Sequence, residues 1–289
     1  MRRRGSVSRV ISPPIFGEVR SLPAGRQALR ISLWSEESIN VEKITMSRFY
    51  VPPDAVKGGK IYAGKEESHH IIDVMRLREG DSVTVFDGTG KEYSGIIESV
   101  KNKSVVIAVD KIAAAAAKSP VEISLAQAMP KKDKMDYIVQ KATELGVREI
   151  IPIESERTIV RAAKDKAAYK TDRWRKIAIE AAKQCGRNDL PDLKEIRSVI
   201  DLLKDFRRYD GIIMPCLSKK TVPLKSALGR LKDPKRLLLM IGPEGDFTPG
   251  EIAAAEANGA LLVSLGRLVL KSDTAAIAAL AVLNYALIT

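Results

Sequence analysis

A chain of 289 residues with 45% hydrophobic content can bury a substantial core, and its length suits two domains of ordinary size. The formal net charge of +12 favours a polyanionic partner, because Lys and Arg that neutralise phosphates gain affinity by counterion release; solvated surface lysines are the plain alternative. Cys185 and Cys216 form no C-x-x-C pair, which argues against a zinc site or disulfide framework and fits a reducing cytoplasm, and the apolar stretch from Ala275 is broken at Asn284, short of the ~18 residues that a spanning helix needs.

Residues 1–45 read as a poorly ordered leader: eight basic and four acidic residues among scattered Pro, Ser and Gly, with no sustained periodicity. An organelle transit peptide fits less well than a start placed upstream of Met46, because the leader carries four glutamates. From Met46 to residue 117 short β segments are punctuated by turns, giving a small β-rich, barrel-like domain. Val83–Phe86, Tyr93–Val100 and Ser104–Val109 are its clearest strands, the last two joined by a turn at Lys101-Asn-Lys103. One helix is predicted over Glu66–Leu77, with Ile71, Val74 and Met75 on its buried face. The alanine-rich run from Lys111 to Lys118 reads as the interdomain connection.

From residue 118 to 289 the rhythm becomes alternating strand and helix, which predicts an α/β domain with a largely parallel sheet. Strands are expected at Val121–Ala126, Glu149–Ile153, Gly211–Met214, Leu237–Ile241 and Ala260–Leu265. Helical spacing marks Lys132–Leu145, closed by Gly146, and Asp172–Cys185. Thr248-Pro-Gly-Glu251 has the Thr, Pro and Glu of a capping box opening another helix. The last helix, from Thr274, is apolar almost all round and should be buried in the domain or in a subunit interface.

Ligands of open α/β sheets bind beyond the carboxyl ends of the strands, so the segments after Met214, Ile241 and Leu265 are the places to look. Ile241-Gly-Pro-Glu-Gly245 has two positions without a Cβ, which predicts close backbone approach to a flat ligand; as a bare pattern it is a tight turn. No G-x-x-x-x-G-K-[ST] and no G-x-G-x-x-G after a strand occurs, which lowers the case for an NTPase or a dinucleotide-dependent dehydrogenase.

Together these segments carry a family likeness. Arg48-Phe-Tyr-Val-Pro52, His69-His70, Val74-Met-Arg76, Phe86-Asp-Gly88, Gln127-Ala-Met-Pro-Lys131, Lys141-Ala-Thr-Glu-Leu-Gly146, Glu180-Ala-Ala-Lys-Gln-Cys-Gly-Arg187, the Gly-Pro-Glu-Gly loop and Leu265–Ala275 occur in one order. From Met46 onward the chain resembles the bacterial 16S ribosomal RNA (uracil-N3)-methyltransferases of the RsmE type. The resemblance implies a PUA-like β-barrel for RNA binding, a C-terminal SPOUT methyltransferase domain with a trefoil knot, a homodimer formed through it, and S-adenosylmethionine as cofactor. It implies cofactor contacts from Leu217, Ile241, Gly242, Pro243, Glu244, Gly245, Leu265, Gly266, Leu270, Thr274 and Ala275, and RNA contacts from Arg48, Arg76, Lys131, Lys132, Lys134 and Arg187. The family's last loop usually has Arg and Glu at the positions of Lys271 and Asp273, and often Ser at that of Cys185.

Methylating uridine N3 requires loss of the imide proton and alignment with a sulfonium methyl. Arg187 and Lys271 are candidates to stabilise charge on the uracil oxygens, and Glu244 or Asp273 to accept the proton. Plainer roles stand beside these: Asp273 as a helix cap, Arg187 as a tie to a helix C-terminus, Lys131, Lys132 and Lys134 as a solvated face, His69 and His70 as structure or RNA contact. No metal site is indicated. Methylation of another RNA such as tRNA, and non-catalytic RNA binding in ribosome assembly, are the competing functions.

Overall fold

Residues 48–113, 119–131, 133–158 and 164–288 are described by the computed structural model; the expected leader 1–45, Lys132 and most of the alanine-rich connection lie outside them. The first of two sheets holds β1 (Arg48–Tyr50), β2 (Val56–Lys57), β3 (Lys60–Tyr62), β4 (Ser82–Phe86), β5 (Glu92–Lys101) and β6 (Ser104–Ala113) in the order β1-β4-β5-β6-β3-β2. With β1 and β2 at its edges, the barrel-like module is a curled sheet. Alternation along β5 and β6 turns Ile97, Val105 and Ile107 inward, as a sheet with one solvated face requires, while β4 is buried on both faces from Val83 to Phe86. Asn102 and Lys103 take φ values of 50° and 60°, the left-handed pair of a tight hairpin between β5 and β6. Gly95 lies at a register shift where a Cβ would stand 2.2 Å from the Ala108 carbonyl oxygen, so only glycine lets these strands approach there.

The helix expected over Glu66–Leu77 is shorter and changes type. After α1 (Lys65–His69) the chain continues as a π-helical turn over His70–Val74. The wider turn breaks the i, i+3, i+4 register on which the prediction rested. Ile71 is therefore buried while Val74 and Met75 are 58% and 40% exposed.

The second sheet is parallel throughout, built from β7 (Glu122–Ala128), β8 (Glu149–Glu154), β9 (Asp192–Leu193), β10 (Arg197–Ser198), β11 (Gly211–Pro215), β12 (Val222–Pro223), β13 (Arg236–Ile241) and β14 (Ala260–Ser264). Its order is β10-β8-β7-β13-β11-β14-β12, with β9 beside β8. Helices cover both faces, so central strands read as unbroken apolar runs rather than alternating ones; Leu237–Ile241 is buried at every position. On one face α2 (Lys134–Glu144), α3 (Lys164–Cys185), α5 (Leu224–Leu228) and α7 (Ser272–Leu287) pack Met135, Ile138, Val139, Trp174, Ala227, Leu280 and Leu283 into one core. On the other, α4 (Val199–Leu203) and α6 (Pro249–Ala257) contribute Val199, Leu202 and Ala255 to a second.

α6 begins where the capping box was expected: Thr248 Oγ1 accepts from Glu251 N–H, and the Glu251 carboxylate accepts from Thr248 N–H. α7 is one-sided. Ala276, Ala279, Leu280 and Leu283 face the core, while Val282 and Tyr285 are 44% and 81% exposed. No described helix is long and apolar enough to cross a membrane.

Candidate cofactor-binding site

Strands β11, β13 and β14 are neighbours, with β11 in the middle, so the loops leaving their carboxyl ends converge. They enclose a cavity of about 290 Å³ lined by residues 215–217, 241–244, 246, 263–266, 268–272 and 275.

The loop after β13 turns at Asp246, whose φ is 60° and whose N–H donates to the Pro243 carbonyl (3.0 Å). Its carboxylate accepts from Leu217 N–H at 2.7 Å and from Phe247 N–H at 2.8 Å, joining the loops after β11 and β13. Arg157 reaches the Gly245 carbonyl from outside at 2.8 Å. In the third loop Ser264 Oγ and the backbone of Gly266 exchange hydrogen bonds, and Gly266 takes a φ of 139°. Leu268 and Val269 follow on the rim, 81% and 74% exposed, before Lys271 at the N-cap of α7. Ser272 Oγ then donates to the Gly242 carbonyl at 2.6 Å, closing the ring of loops.

Charge in the site is mostly negative. Burial pushes the Glu244 carboxyl up, but its own backbone N–H, the Lys131 N–H (3.1 Å) and the Lys134 ammonium (3.5 Å) outweigh burial and hold it below the usual carboxylate range. Burial, with the nearby Asp246 carboxylate, pushes the Cys216 thiol up to about 11. Apolar walls, backbone groups and the carboxylates of Glu244 and Asp246 make a donor set suited to a ligand with a flat base and a cationic tail, as S-adenosylmethionine has.

Leu217, Ile241, Gly242, Pro243, Glu244, Leu265, Gly266, Leu270, Lys271 and Ala275 are thus brought together. Gly245 and Thr274 are not on the cavity wall, and Asp273 is turned to Lys134 at 3.3 Å. At Gly242 the loop itself crowds the position of a Cβ. A Cβ there would meet Asp246 Oδ1 and the Phe247 ring at 3.2 Å, so the loop's own packing already favours glycine at this position.

Arg187 lies elsewhere, in the joint between the two sheets. Its guanidinium forks onto Asp189 (both 2.9 Å) and donates to the Thr143 carbonyl at the end of α2 (3.1 Å), the plainer role weighed for it. Arg48 is in the same joint, the two terminal nitrogens of its nearly buried guanidinium paired with Glu92 (2.7 Å) and Asn188 (2.5 Å) while its Nε has no partner among the described residues. Gly90 N–H to the Asn188 carbonyl and Leu190 N–H to the Gly88 carbonyl, both 3.1 Å, complete it. Arg76 is exposed, with a φ of 56°. Lys131 is exposed, Lys134 bridges Glu244 and Asp273, and Lys132 is outside the described residues. His69 pairs with Asp73, and His70 packs edge-on against Phe49.

Sequence reasoning missed Asp246, Ser272 and Gln127. Only Gln127 carried a signal, as a polar residue between two alanines near the carboxyl end of a central strand.

A family model described as an RNA methyltransferase domain matches residues 117–284, and one described as an RNA methyltransferase PUA domain matches residues 63–110. The chain is 33% identical over 224 residues to the ribosomal RNA small subunit methyltransferase E of Bacillus subtilis, covering 76% of this chain and 88% of that protein. To the enzyme of the same name from Synechocystis it is 27% identical over 255 residues, 88% of this chain and 82% of the relative. Among solved structures, a ribosomal RNA small subunit methyltransferase E from Neisseria gonorrhoeae bound to S-adenosyl methionine superposes with a TM-score of 0.74 at 30% identity, covering 83% of this chain and 98% of that one.

Proposed function

The chain belongs to the ribosomal RNA small subunit methyltransferase E family, and from that premise we propose that it methylates N3 of a specific uridine in 16S ribosomal RNA. The observation that carries the reading is the cavity at the carboxyl ends of β11, β13 and β14, with its apolar walls and the carboxylates of Glu244 and Asp246 in its lining. S-adenosylmethionine, when bound, supplies a methyl group already activated on a sulfonium. Leu217, Ile241, Leu265 and Leu270 would wall the adenosine, and the backbone groups of Gly242, Leu265 and Leu270 would fix it. A carboxylate held below its ordinary pKa is a weak base, so Glu244 suits the cationic tail of the cofactor better than the imide proton of uracil. Lys271, exposed on the cavity rim, is placed to stabilise charge on a uracil oxygen.

The curled sheet, in a module whose residues 63–110 match the PUA model and whose proposed bounds are 46–117, would be the companion RNA-binding surface, and Arg76 and Lys131 add exposed cations. The exposed stripe of α7 at Val282 and Tyr285 suits a homodimer formed through the C-terminal SPOUT domain, whose loops the family resemblance gives as knotted. The substrate sits in the small ribosomal subunit, in the cytoplasm.

Mass spectrometry of 16S RNA from cells with and without the gene is the test. The reading expects 3-methyluridine to vanish with the gene. Product on a ribose, or on tRNA alone, would overturn it.

A further inference from the structure

Gln127 is the penultimate residue of β7, between Ala126 and Ala128, and its side chain is fully buried. Its amide nitrogen donates to Ser272 Oγ (2.9 Å) and to the Ala128 carbonyl (2.9 Å), and Ser272 Oγ passes its one proton to the Gly242 carbonyl (2.6 Å). This order of donors is the only satisfactory one. The Gly242 oxygen can only accept, so the Ser272 hydroxyl must donate to it and accept from Gln127. Turned over, the amide would set its oxygen against the Ala128 carbonyl and a hydroxyl whose proton is already engaged. The consequence is that Gln127 Oε1 is buried with no partner among the described residues.

A buried acceptor without a donor costs about 1–3 kcal/mol. An apolar side chain of the same size would remove that cost, so stability of the strand does not explain the residue. What glutamine adds is the relay: it holds the hydroxyl of the first residue of α7, and through it the carbonyl of the first residue of the Gly-Pro-Glu-Gly loop. Gly242 and Ser272 both line the cavity, the one on the loop after β13 and the other opening α7.

We propose that Gln127 is a positioning residue for the cofactor, fixing through Ser272 the Gly242 carbonyl and thereby the spacing between the loop after β13 and the start of α7. This rests on the reading of the cavity as the cofactor site. Gln127 touches no ligand itself; it acts from behind the wall.

Calorimetric titration of the full-length protein with S-adenosylmethionine, alongside thermal unfolding without it, tests the relay. Wild type is expected to bind. Gln127→Met keeps the shape and removes both donors, and should bind about tenfold more weakly with little change in the unfolding midpoint. Ser272→Ala cuts the relay at its second link and should weaken binding to a similar degree. Gln127→Glu supplies the signature that a packing role would not give. Burial raises the pKa of the introduced carboxyl; protonated, it can donate to Ser272, but ionised it draws the Ser272 proton away from Gly242. Its cofactor affinity should therefore recover as the pH falls, whereas that of Gln127→Met should not. Wild-type affinity in Gln127→Met and Ser272→Ala, with a pH-independent Gln127→Glu, overturns the proposal while leaving the function intact. A wild type that gives no heat overturns both.

Discussion

At the amino ends of the parallel strands a cavity of about 180 Å³ is lined by Glu122, Ser124, Arg148, Glu149, Asp192, Lys194, Arg208, Tyr209 and Arg236. The larger cavity at the carboxyl ends has mainly apolar walls. Counted by charge alone, the amino end is the more conspicuous site. Its central groups are committed, however: the nearly buried Glu149 carboxylate accepts from Ser124 Oγ (3.0 Å), Tyr209 O–H (3.1 Å) and Lys194 (3.3 Å), and Lys194 also pairs with Asp192. At the carboxyl end the polar atoms hold loops rather than one another, Gln127 Oε1 is left over, and Leu217, Leu268 and Val269 stay exposed. The contrast separates a polar cluster that secures the fold from a cavity shaped for something else. Backbone conformation marks the second kind better than charge density does, whereas a polar atom without a mate does not, since Arg48 Nε in the joint also has none among the described residues.

Glu149→Ala should break the contrast at its structural end with the largest effect. Removing it strands the Ser124 hydroxyl and the Tyr209 phenol, while the half-exposed Lys194 keeps Asp192, and leaving two such groups without their charged acceptor costs about 3 kcal/mol. Urea denaturation should show that loss, while calorimetry finds cofactor affinity unchanged. If affinity fell in step with stability, the two ends of the sheet would be coupled and the distinction would fail.

Asp246→Ala addresses the other end. It removes charge-assisted bonds to Leu217 N–H and Phe247 N–H, and the loops after β11 and β13 lose the link that this carboxylate makes between them. A loss of about 2 kcal/mol is expected, read as a roughly thirtyfold weaker affinity for S-adenosylmethionine. A variant that bound normally but unfolded early would place Asp246 with the structural cluster instead.

What could be read in advance follows the range of the interactions concerned. The capping box at Thr248, the apolar runs of β7 and β13 and the hairpin turn after Lys101 are set by residues a few positions apart, and each stands where the sequence placed it. Long-range partners were invisible. Nothing near Arg187 announces that Thr143 will be the helix-end carbonyl that accepts from it, or near Arg48 that Asn188 will meet it, so the sequence offers a helix tie for Arg187 beside RNA contact or catalysis and names no partner for either. Val74 and Met75 show the local failure: one π turn shifts the register, and an apolar face becomes an exposed one. Gly242 was singled out on a different ground, since its packing against Asp246 and Phe247 depends on a left-handed residue four positions on.

Tyr209→Phe gives the smallest effect and the finest cut, because it separates the amino-end cluster by pH. Burial, then the charge of Glu149, pushes the Tyr209 hydroxyl from 10.0 up to about 12. A raised pKa means that the folded state holds the proton more tightly, so the contribution is fully present below pH 10.0 and disappears as the pH rises through about 12. The phenylalanine variant should lose about 1 kcal/mol near neutral pH, the worth of one hydrogen bond to the Glu149 carboxylate. It should also show a shallower alkaline decline than wild type in denaturant midpoints measured across that window. Cofactor affinity should not move at any pH where the protein is folded, because the phenol stands at the far end of the strands. An alkaline decline unchanged by the substitution would mean that another group titrates there, and the hydrogen bond to Glu149 would then be too weak to hold the phenol neutral.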